Sequence, residues 1–209
     1  MNKFDSVIFD LDGTLWDLRA QVAQARNNVV RKLGLDVPAF TAEDVQKTMG
    51  LPSSKVYQIA FSTVPEEQHK EIRAHFDTEI KSIVMSGSGY FFPDVDRVIP
   101  RLHGRLPLFL VSNCSQGYLA TFLEWSGYGK YFKDMTCYGE NGLPKARNIS
   151  AIVQRNHLKR PVYVGDTAGD HQSATDAGVD YIHADYGFGQ PLGECVRIPS
   201  FSSLESLLA

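Results

Sequence analysis

Two aspartates separated by a single residue follow a short apolar run near the N-terminus. The run is Val7–Phe9, and Asp10 and Asp12 come directly after it, before Gly13. Such a run predicts a strand buried on both faces, and the glycine marks its exit. Two carboxylates about 4 Å apart repel by roughly 4 kcal/mol at an effective dielectric of about 20, so a shared cation or proton must stabilise them. The pair therefore predicts a divalent metal site, with a solvated turn as the alternative.

A second pair of carboxylates follows another apolar run. The run Pro161–Val164 is followed by Gly165, Asp166 and, four residues later, Asp170. In a parallel sheet this strand can lie beside the first one, which brings Asp166 close to Asp10. Asp170 falls in the first turn of the next helix, where the helix dipole favours an anion. The four aspartates together predict an oxygen-rich pocket of the kind that Mg²⁺ prefers.

Polar residues that suit a phosphate group follow a third run. Ser112 and Asn113 end Leu106–Val111, and with the N–H groups of the following turn they can donate hydrogen bonds to a phosphoryl oxygen. Lys145 opens a helical segment and can neutralise negative charge on a substrate. An ordinary strand ending and a solvated lysine are the alternatives, and Arg147 is a second candidate for the cationic role.

Apolar runs alternate along the chain with segments of helical periodicity, and this alternation predicts the fold class. The runs are short enough for buried strands. They are Val7–Phe9, Leu106–Val111, Met135–Tyr138, Pro161–Val164 and Val179–His183. The helical segments are Val95–Leu102, Gln116–Trp125, Ala146–His157 and Asp170–Ala177. Strands that alternate with helices predict an α/β fold with a mainly parallel sheet and right-handed crossovers.

Residues 17–86 break this alternation, because their pattern is helical throughout. Apolar residues recur there with a period of 3.6, at Leu18, Val22, Ala25, Val29 and Leu33 and again at Ile72, Phe76 and Ile80. A helical insertion directly after the paired aspartates indicates a lid over the site, and Ser86–Gly89 indicates its hinge. We therefore expect a core domain of residues 1–16 and 87–209 and an all-helical cap domain of residues 17–86.

The composition narrows the possible partners and locations. At 209 residues and 43% hydrophobic content, the chain can bury a sizeable core. A net charge of −3 without a Lys/Arg cluster argues against nucleic acid, and no apolar run approaches the ~18 residues of a membrane span. Three widely spaced cysteines, Cys114, Cys137 and Cys195, indicate neither a disulfide framework nor a zinc site. We expect a cytoplasmic protein, either a monomer or a homodimer, that binds neither a membrane nor nucleic acid.

The four polar elements, in this order and at these separations, resemble the motifs of the haloacid dehalogenase-like hydrolase superfamily. The resemblance is carried by Asp10–Leu15, Ser112, Lys145 and Gly165–Asp170. The helical insert resembles the C1-type cap of subfamily I, and the C-terminal part resembles phosphoglycolate-phosphatase-like members. The resemblance implies a Rossmann-like core of three layers with a small C1 cap. One departure is Ala146 after Lys145, where relatives often have proline.

The resemblance also implies a Mg²⁺-dependent phosphatase that hydrolyses a small phosphorylated metabolite, phosphoglycolate-like or a sugar phosphate, through an aspartyl phosphate. Asp10 would be the nucleophile and Asp12 the general acid and base. The metal ligands would be Asp10, Asp166 and the backbone carbonyl of Asp12. The remaining implied roles are phosphate binding by Ser112, Asn113 and Lys145 and support of the metal site by Asp170 and Thr14.

Other activities share parts of this pattern. A phosphomutase of the same superfamily is the nearest alternative, because it also retains both aspartates of the first motif. A non-catalytic phospho-acceptor module is a third interpretation, although receiver domains of that type have no helical insert after the first strand. Haloacid dehalogenases lack the equivalent of Asp12, and phosphonoacetaldehyde hydrolases place a lysine near Ser53, so both classes are disfavoured.

Overall fold

The computed structural model describes residues 3–208, which include a six-stranded sheet whose strand pairs are all parallel. The strands are β1 Ser6–Phe9, β2 Leu108–Ser112, β3 Phe132–Cys137, β4 Pro161–Gly165, β5 Asp180–Ala184 and β6 Val196–Ile198. The helices are α1 Arg19–Leu33, α2 Ala42–Gln46, α3 Ser53–Ala60, α4 His69–Ile83, α5 Val95–His103, α6 Gln116–Ser126, α7 Tyr138–Asn141, α8 Lys145–Arg155, α9 Ala168–Asp176 and α10 Ser203–Leu207. The predicted α/β fold class is confirmed.

The place of β1 in the sheet explains why the two pairs of aspartates meet. The strand order is β3-β2-β1-β4-β5-β6, and Val7 of β1 pairs with Leu108 on one side and with Val162 on the other. The chain reaches β2 and β4 on opposite sides of β1, and a crevice forms at the carboxyl ends of the strands at such a reversal. Asp10 and Asp166 follow the adjacent strands β1 and β4, as the sequence predicts.

Helices cover both faces of the sheet, which gives the core its three layers. Because successive strand residues alternate in direction, Val7 and Phe9 pack on one face and Ile8 on the other. The ring of Phe9 lies 5.7 Å from that of Phe201, which precedes α10. Ile8 belongs instead to the apolar cluster that contains Ile149 of α8. The predicted three-layer core is confirmed.

The segment between β1 and α5 forms a helical insert. Residues 17–86, all of which the structure describes, hold α1 to α4 and no strand. α1 buries Val22, Ala25 and Val29 on its apolar face, and α4 buries Ile72 and Ile80 on its own. This agrees with the helical pattern of the sequence, while the division of the chain into a core domain and a cap domain at these residues stays a prediction.

The two chain crossings between sheet and insert lie side by side. Trp16 pairs with Phe91 in an antiparallel bridge, and the Phe92 N–H donates to the carbonyl of Leu15 at 3.0 Å. A wide helical turn, Val84–Ser88, precedes the returning strand segment, and Gly87 within it has a φ of 100°, which favours glycine. The predicted hinge therefore coincides with a change of backbone conformation.

Several element boundaries differ from the predicted ones for local reasons. β2 begins at Leu108 rather than two residues earlier, because Pro107 has no N–H to give to the sheet. β6 lies outside the predicted strands, because it has three residues and two of them, Val196 and Arg197, are exposed. No helix among residues 3–208 combines the length and the apolar character that a bilayer span requires.

Candidate active site

A lysine between two aspartates forms the charged centre of the site. Asp10 follows β1, and its backbone N–H donates to the carbonyl of Val164 at 2.9 Å. Lys145, the first residue of α8, extends its ammonium between the strands, with Nζ 2.9 Å from Asp10 Oδ1 and 2.5 Å from Asp170 Oδ1. The three side chains are 4%, 2% and 0% exposed for Asp10, Lys145 and Asp170. This buried triad has more negative than positive charge.

The pKa values of these groups reflect that imbalance. Burial raises the pKa of Asp10 to about 7, and attraction to Lys145 keeps it from rising further. Burial, followed by repulsion from Asp170 and Asp10, holds the pKa of Asp166 well above its usual range. Burial also acts on Asp170, but the Lys145 ammonium and the hydrogen bonds of Thr167 outweigh it, so the pKa of Asp170 is lowered. One ammonium does not neutralise the three carboxylates.

Three carboxylates of this centre could share a cation. Oxygen atoms of Asp10, Asp166 and Asp170 lie within 4.8 Å of one another, and all three residues are buried. Asp170 already uses both oxygens, one for Lys145 and the other for the N–H and hydroxyl of Thr167. Asp10 and Asp166 are therefore the better candidates for direct contact with a metal. Buried carboxylates with raised pKa values form a donor set that fits Mg²⁺.

The carboxylate of Asp166 is held closely by its surroundings. The Phe188 N–H donates to its Oδ2 at 2.8 Å, and the Thr14 hydroxyl lies 3.4 Å from Oδ1. Gly13 has a φ of 81°, and a Cβ there would lie 2.1 Å from Asp166 Oδ2. Gly187 is equally close, since its Cβ would lie 2.3 Å from that of Asp166. The two glycines leave the space that this side chain occupies.

Asp12 lies in a different environment from Asp10. Its Oδ1 accepts hydrogen bonds from the Tyr118 hydroxyl at 2.6 Å and from the Trp16 indole N–H at 3.0 Å. Burial raises the pKa of Asp12 to about 6, and these two donors limit the rise. The group therefore changes its protonation state close to neutral pH, which is what a proton carrier needs.

The end of β2 contacts both the site and the helical insert. Ser112 is 2% exposed, and its Oγ accepts the N–H of Cys114 at 3.2 Å. Asn113 Nδ2 donates to the carbonyl of Gly50 at 2.7 Å, and its own carbonyl accepts the Ser53 N–H at 3.2 Å. The side-chain amide of Asn113, which the sequence predicts to bind phosphate, therefore donates to the insert instead. Asn113 in this way links the end of β2 to the insert.

A cleft lies between the insert and the ends of the strands. Its core side is formed by Asp10, Asp12, Ser112 and Lys145, among other residues. The insert contributes the wall Val22, Arg26, Thr48, Met49, Gly50, Leu51, Ser53, Val56, Tyr57 and Phe76. Most of these side chains are apolar. The insert therefore places an apolar surface opposite the polar residues of the core side, and this surface disfavours bulk water.

The sequence matches a known family over most of its length. A family model described as haloacid dehalogenase-like hydrolase matches residues 7–184, a range that contains every aspartate of the charged centre. The chain belongs to the haloacid dehalogenase-like hydrolase family. It is therefore an enzyme, and the resemblance of its motifs to that family is confirmed.

Relatives and solved structures agree with this assignment. The chain is 27% identical to the phosphoglycolate phosphatase of Vibrio parahaemolyticus, with 89% of this chain and 86% of the relative covered. It is also 27% identical to that of Escherichia coli K12, with 100% and 94% covered. A predicted phosphoglycolate phosphatase from Haemophilus somnus has a similar structure, with a TM-score of 0.85, 20% identity and 100% of both chains covered. The likeness to these proteins therefore extends over nearly the whole chain.

Some contacts of this haloacid dehalogenase-like enzyme have no signal in its sequence. Trp16 and Tyr118 reach Asp12 from the chain crossing and from α6, so only the three-dimensional arrangement joins them. The Phe188 N–H that contacts Asp166 lies in a loop with no polar motif of its own. Arg26 is one of several charged residues of α1, and no motif in the sequence distinguishes it, yet it lines the cleft.

Proposed function

We propose that this enzyme is a Mg²⁺-dependent phosphatase that hydrolyses a small phosphorylated metabolite through an aspartyl phosphate on Asp10. One observation carries the proposal. Asp10 Oδ1 lies at the end of the central strand, is ion-paired with Lys145 at 2.9 Å, and accepts no well-directed hydrogen bond from the described residues. A buried carboxylate oxygen that is paired with an ammonium and lies beside a covered cleft is suited to nucleophilic attack.

In the first step an oxygen of Asp10 attacks phosphorus, and the bond between phosphorus and the ester oxygen breaks. Lys145 and the Ser112 hydroxyl attract the phosphoryl oxygens and so reduce repulsion between the phosphate and the Asp10 carboxylate. Asp170 keeps the Lys145 ammonium in place through their 2.5 Å contact. Phosphate esters hydrolyse very slowly without a catalyst, and this convergence of charge supplies the stabilisation that the reaction needs.

Asp12 moves the proton in both steps. In the first it gives its proton to the leaving oxygen, and in the second it accepts a proton from the water that attacks the aspartyl phosphate. The second step releases inorganic phosphate and restores the Asp10 carboxylate. A pKa of about 6 allows both forms of Asp12 to be populated near neutral pH. Trp16 and Tyr118 orient the carboxylate through their hydrogen bonds.

Asp10 and Asp166, with the backbone carbonyl of Asp12, are the residues that would hold Mg²⁺. When bound, the ion supplies positive charge that offsets the repulsion between carboxylates and phosphate. The remaining roles belong to this chain: Thr14 and the Phe188 N–H hold Asp166 in its orientation, at 3.4 Å and 2.8 Å. The three cysteines form no disulfide, which is what a protein of the reducing cytoplasm would have.

Phosphate release from a panel of phosphate esters tests the proposal. With MgCl₂ present, we expect turnover of at least one small ester, and Asp10→Asn should lower kcat by roughly 10⁴-fold or more because the covalent route is lost. Asp36→Asn, an exposed aspartate of the insert, is the matched control and should keep wild-type turnover. Activity retained by Asp10→Asn would place the nucleophile elsewhere.

The same experiment separates the alternatives. A phosphomutase would isomerise a sugar phosphate with little net release of phosphate. A phospho-acceptor module would stop after one equivalent of phosphate per protein. Continued release of many equivalents is the outcome that the proposed function requires.

A further inference from the structure

One backbone residue joins the helical insert to the charged centre. Phe188 lies in the loop after β5, and its N–H donates to Asp166 Oδ2 at 2.8 Å. Its carbonyl accepts a hydrogen bond from the side chain of Gln46, whose Nε2 lies 3.0 Å away. Gln46 is the last residue of α2, within the insert. Phe188 therefore lies between a residue of the insert and a proposed metal ligand.

The insert also contacts the ring of Phe188. The guanidinium carbon of Arg19 lies 4.3 Å from the centre of this ring, at the distance of a cation–π contact. The same guanidinium donates to Gln46 Oε1 at 2.5 Å, and its Nη2 pairs with Asp17 Oδ2 at 2.6 Å. Because Arg19 holds the oxygen of the Gln46 amide, the nitrogen of that amide is directed at the Phe188 carbonyl.

Glycines on both sides of Phe188 bring its backbone against Asp166. A Cβ at Gly187 would lie 2.3 Å from that of Asp166, and a Cβ at Gly189 would lie 3.0 Å from the carbonyl oxygen of Asp166. Such a close approach is open to glycine alone. Closely packed groups transmit a displacement to their neighbours, so a shift of the Phe188 backbone shifts Asp166 as well.

The insert contacts the core at other points, which lead to other parts of the site. Asp77 of α4, for example, accepts the Ser115 hydroxyl at 2.8 Å, directly before α6. Gln46 instead contacts the loop whose N–H donates to Asp166. The two hydrogen bonds of Phe188 therefore connect the position of α2 to the orientation of the Asp166 carboxylate.

We propose that Gln46 is a positioning residue for the metal site. By holding the Phe188 carbonyl, it keeps the Phe188 N–H on Asp166 and the carboxylate in the orientation that Mg²⁺ requires. This inference rests on the proposed function, in which Asp166 is a metal ligand. Coupling between two sites is reciprocal, so bound Mg²⁺ in turn strengthens the contact between α2 and the loop.

The size of the effect follows from the place of Gln46 in this chain of contacts. Groups that orient a metal ligand directly change metal affinity by about 10- to 100-fold. Gln46 acts one hydrogen bond further away, and a single hydrogen bond corresponds to a factor of about 2 to 10. Mg²⁺ demands nearly ideal octahedral geometry, whereas Ca²⁺ accepts more varied arrangements of its ligands. Loss of the Gln46 contact should therefore weaken Mg²⁺ binding more than Ca²⁺ binding.

Cation binding without substrate tests the proposal. The Kd values for Mg²⁺ and for Ca²⁺ are measured by isothermal titration calorimetry in wild type, Gln46→Met and Gln21→Met. Gln21→Met is the matched control, because Gln21 Nε2 also donates to a backbone carbonyl, that of Ser88 at 2.9 Å, outside the loop that contacts Asp166. We expect Gln46→Met to raise the Kd for Mg²⁺ by about 2- to 10-fold and the Kd for Ca²⁺ by less. The control should keep both wild-type values.

A purely structural role for Gln46 gives a different pattern. Gln46→Met would then raise both Kd values by the same factor, or change them no more than Gln21→Met does, and either result overturns the proposal. If the variant does not fold, nuclear magnetic resonance of wild type decides. Mg²⁺ should shift the side-chain amide resonances of Gln46 and leave those of Gln21 in place, and an unshifted Gln46 overturns the proposal.

The failure of the proposed metal site looks different again. Mg²⁺ that binds wild type no more tightly than Asp166→Asn rejects both the metal site and the role of Gln46. Binding that depends on Asp166 but not on Gln46 rejects the positioning role alone.

Discussion

Replacement of Lys145 by methionine removes the one ammonium of the buried triad while keeping most of the side-chain volume. Its Nζ lies 2.9 Å from Asp10 and 2.5 Å from Asp170, so both carboxylates lose their counter-ion. Each contact is worth on the order of 6 kcal/mol at an effective dielectric of about 20, before the cost of burying the ammonium is deducted. Loss of one partner from a buried ion pair typically destabilises a protein by about 3–5 kcal/mol.

We expect Lys145→Met to lower the free energy of unfolding by about 3–5 kcal/mol at pH 8, and the melting temperature by roughly 10 °C. Urea denaturation in EDTA, followed by circular dichroism, measures this loss without bound metal. Lys81→Met is the matched control, because Lys81 pairs with Glu124 at 2.6 Å on the surface, where both side chains are about half exposed. A surface pair contributes about 0–1 kcal/mol, so the control should stay near wild type.

The pH dependence of this loss has a definite sign. In wild type the pKa of Asp170 is lowered, so its stabilising contribution is present above its unfolded pKa and declines as the pH falls. In wild type the folded pKa of Asp10 is already above its unfolded value. Without Lys145 it rises further, and the folded pKa of Asp170 rises above its unfolded value as well. Folding then takes up protons, and the variant gains stability as the pH falls. The difference from wild type should therefore shrink between pH 8 and about pH 5.

A loss smaller than about 1 kcal/mol at pH 8 would refute the view that Lys145 stabilises two buried carboxylates as their shared counter-ion. A loss that does not change between pH 8 and pH 5 would refute it as well, since an effect of side-chain packing alone does not depend on pH in this range. The raised pKa of Lys145 itself does not interfere, because its contribution is lost only at strongly alkaline pH.

Three further predictions concern the carboxylates. MgCl₂ at 100 times Kd should stabilise wild type by about 2.7 kcal/mol in thermal unfolding, whereas Asp166→Asn should lose most of this response. Gly13→Ala should weaken the Mg²⁺ response, because its Cβ would lie 2.1 Å from Asp166 Oδ2. Gly34→Ala is the control, because its φ of 62° strains the backbone but its Cβ would meet no atom within 4 Å; it should lose some stability and keep the Mg²⁺ response in the same assay. Thr167→Ala should cost about 1 kcal/mol in urea and also lower kcat, whereas Thr41→Ala, in an exposed capping box, should leave kcat unchanged.

The part of the site that the sequence predicts consists of residues directly after strands. Asp10 and Asp166 follow β1 and β4, and parallel strands bring their carboxyl ends to one edge of the sheet, so strand order alone makes them neighbours. Lys145 is the exception, because its charge and its place at the start of a helix are what predict it. The structure adds that the Lys145 ammonium is buried between Asp10 and Asp170, where it offsets part of their negative charge.

The contacts that the sequence does not predict join segments far apart in the chain. Asn113 and Gly50 are separated by more than sixty residues, and their hydrogen bond depends on how the insert lies over the sheet. Arg26 and Phe76 belong to different helices, α1 and α4, and both line the cleft. Helical periodicity shows that Phe76 is buried but not what it faces, and it treats Arg26 as one of many charged residues on a helix.

The indole of Trp16 gives the enzyme an internal fluorophore beside Asp12, the proposed proton carrier. Its ring is fully buried, lies 5.3 Å from that of Tyr118 and donates a hydrogen bond to Asp12. The same residue forms the backbone bridge to Phe91 where the chain returns to the sheet. Emission from this tryptophan therefore responds both to the charge on Asp12 and to any relative movement of the two chain crossings. Stopped-flow fluorescence could follow single turnovers in the unlabelled protein, with Trp125→Phe reducing the background from the neighbouring indole.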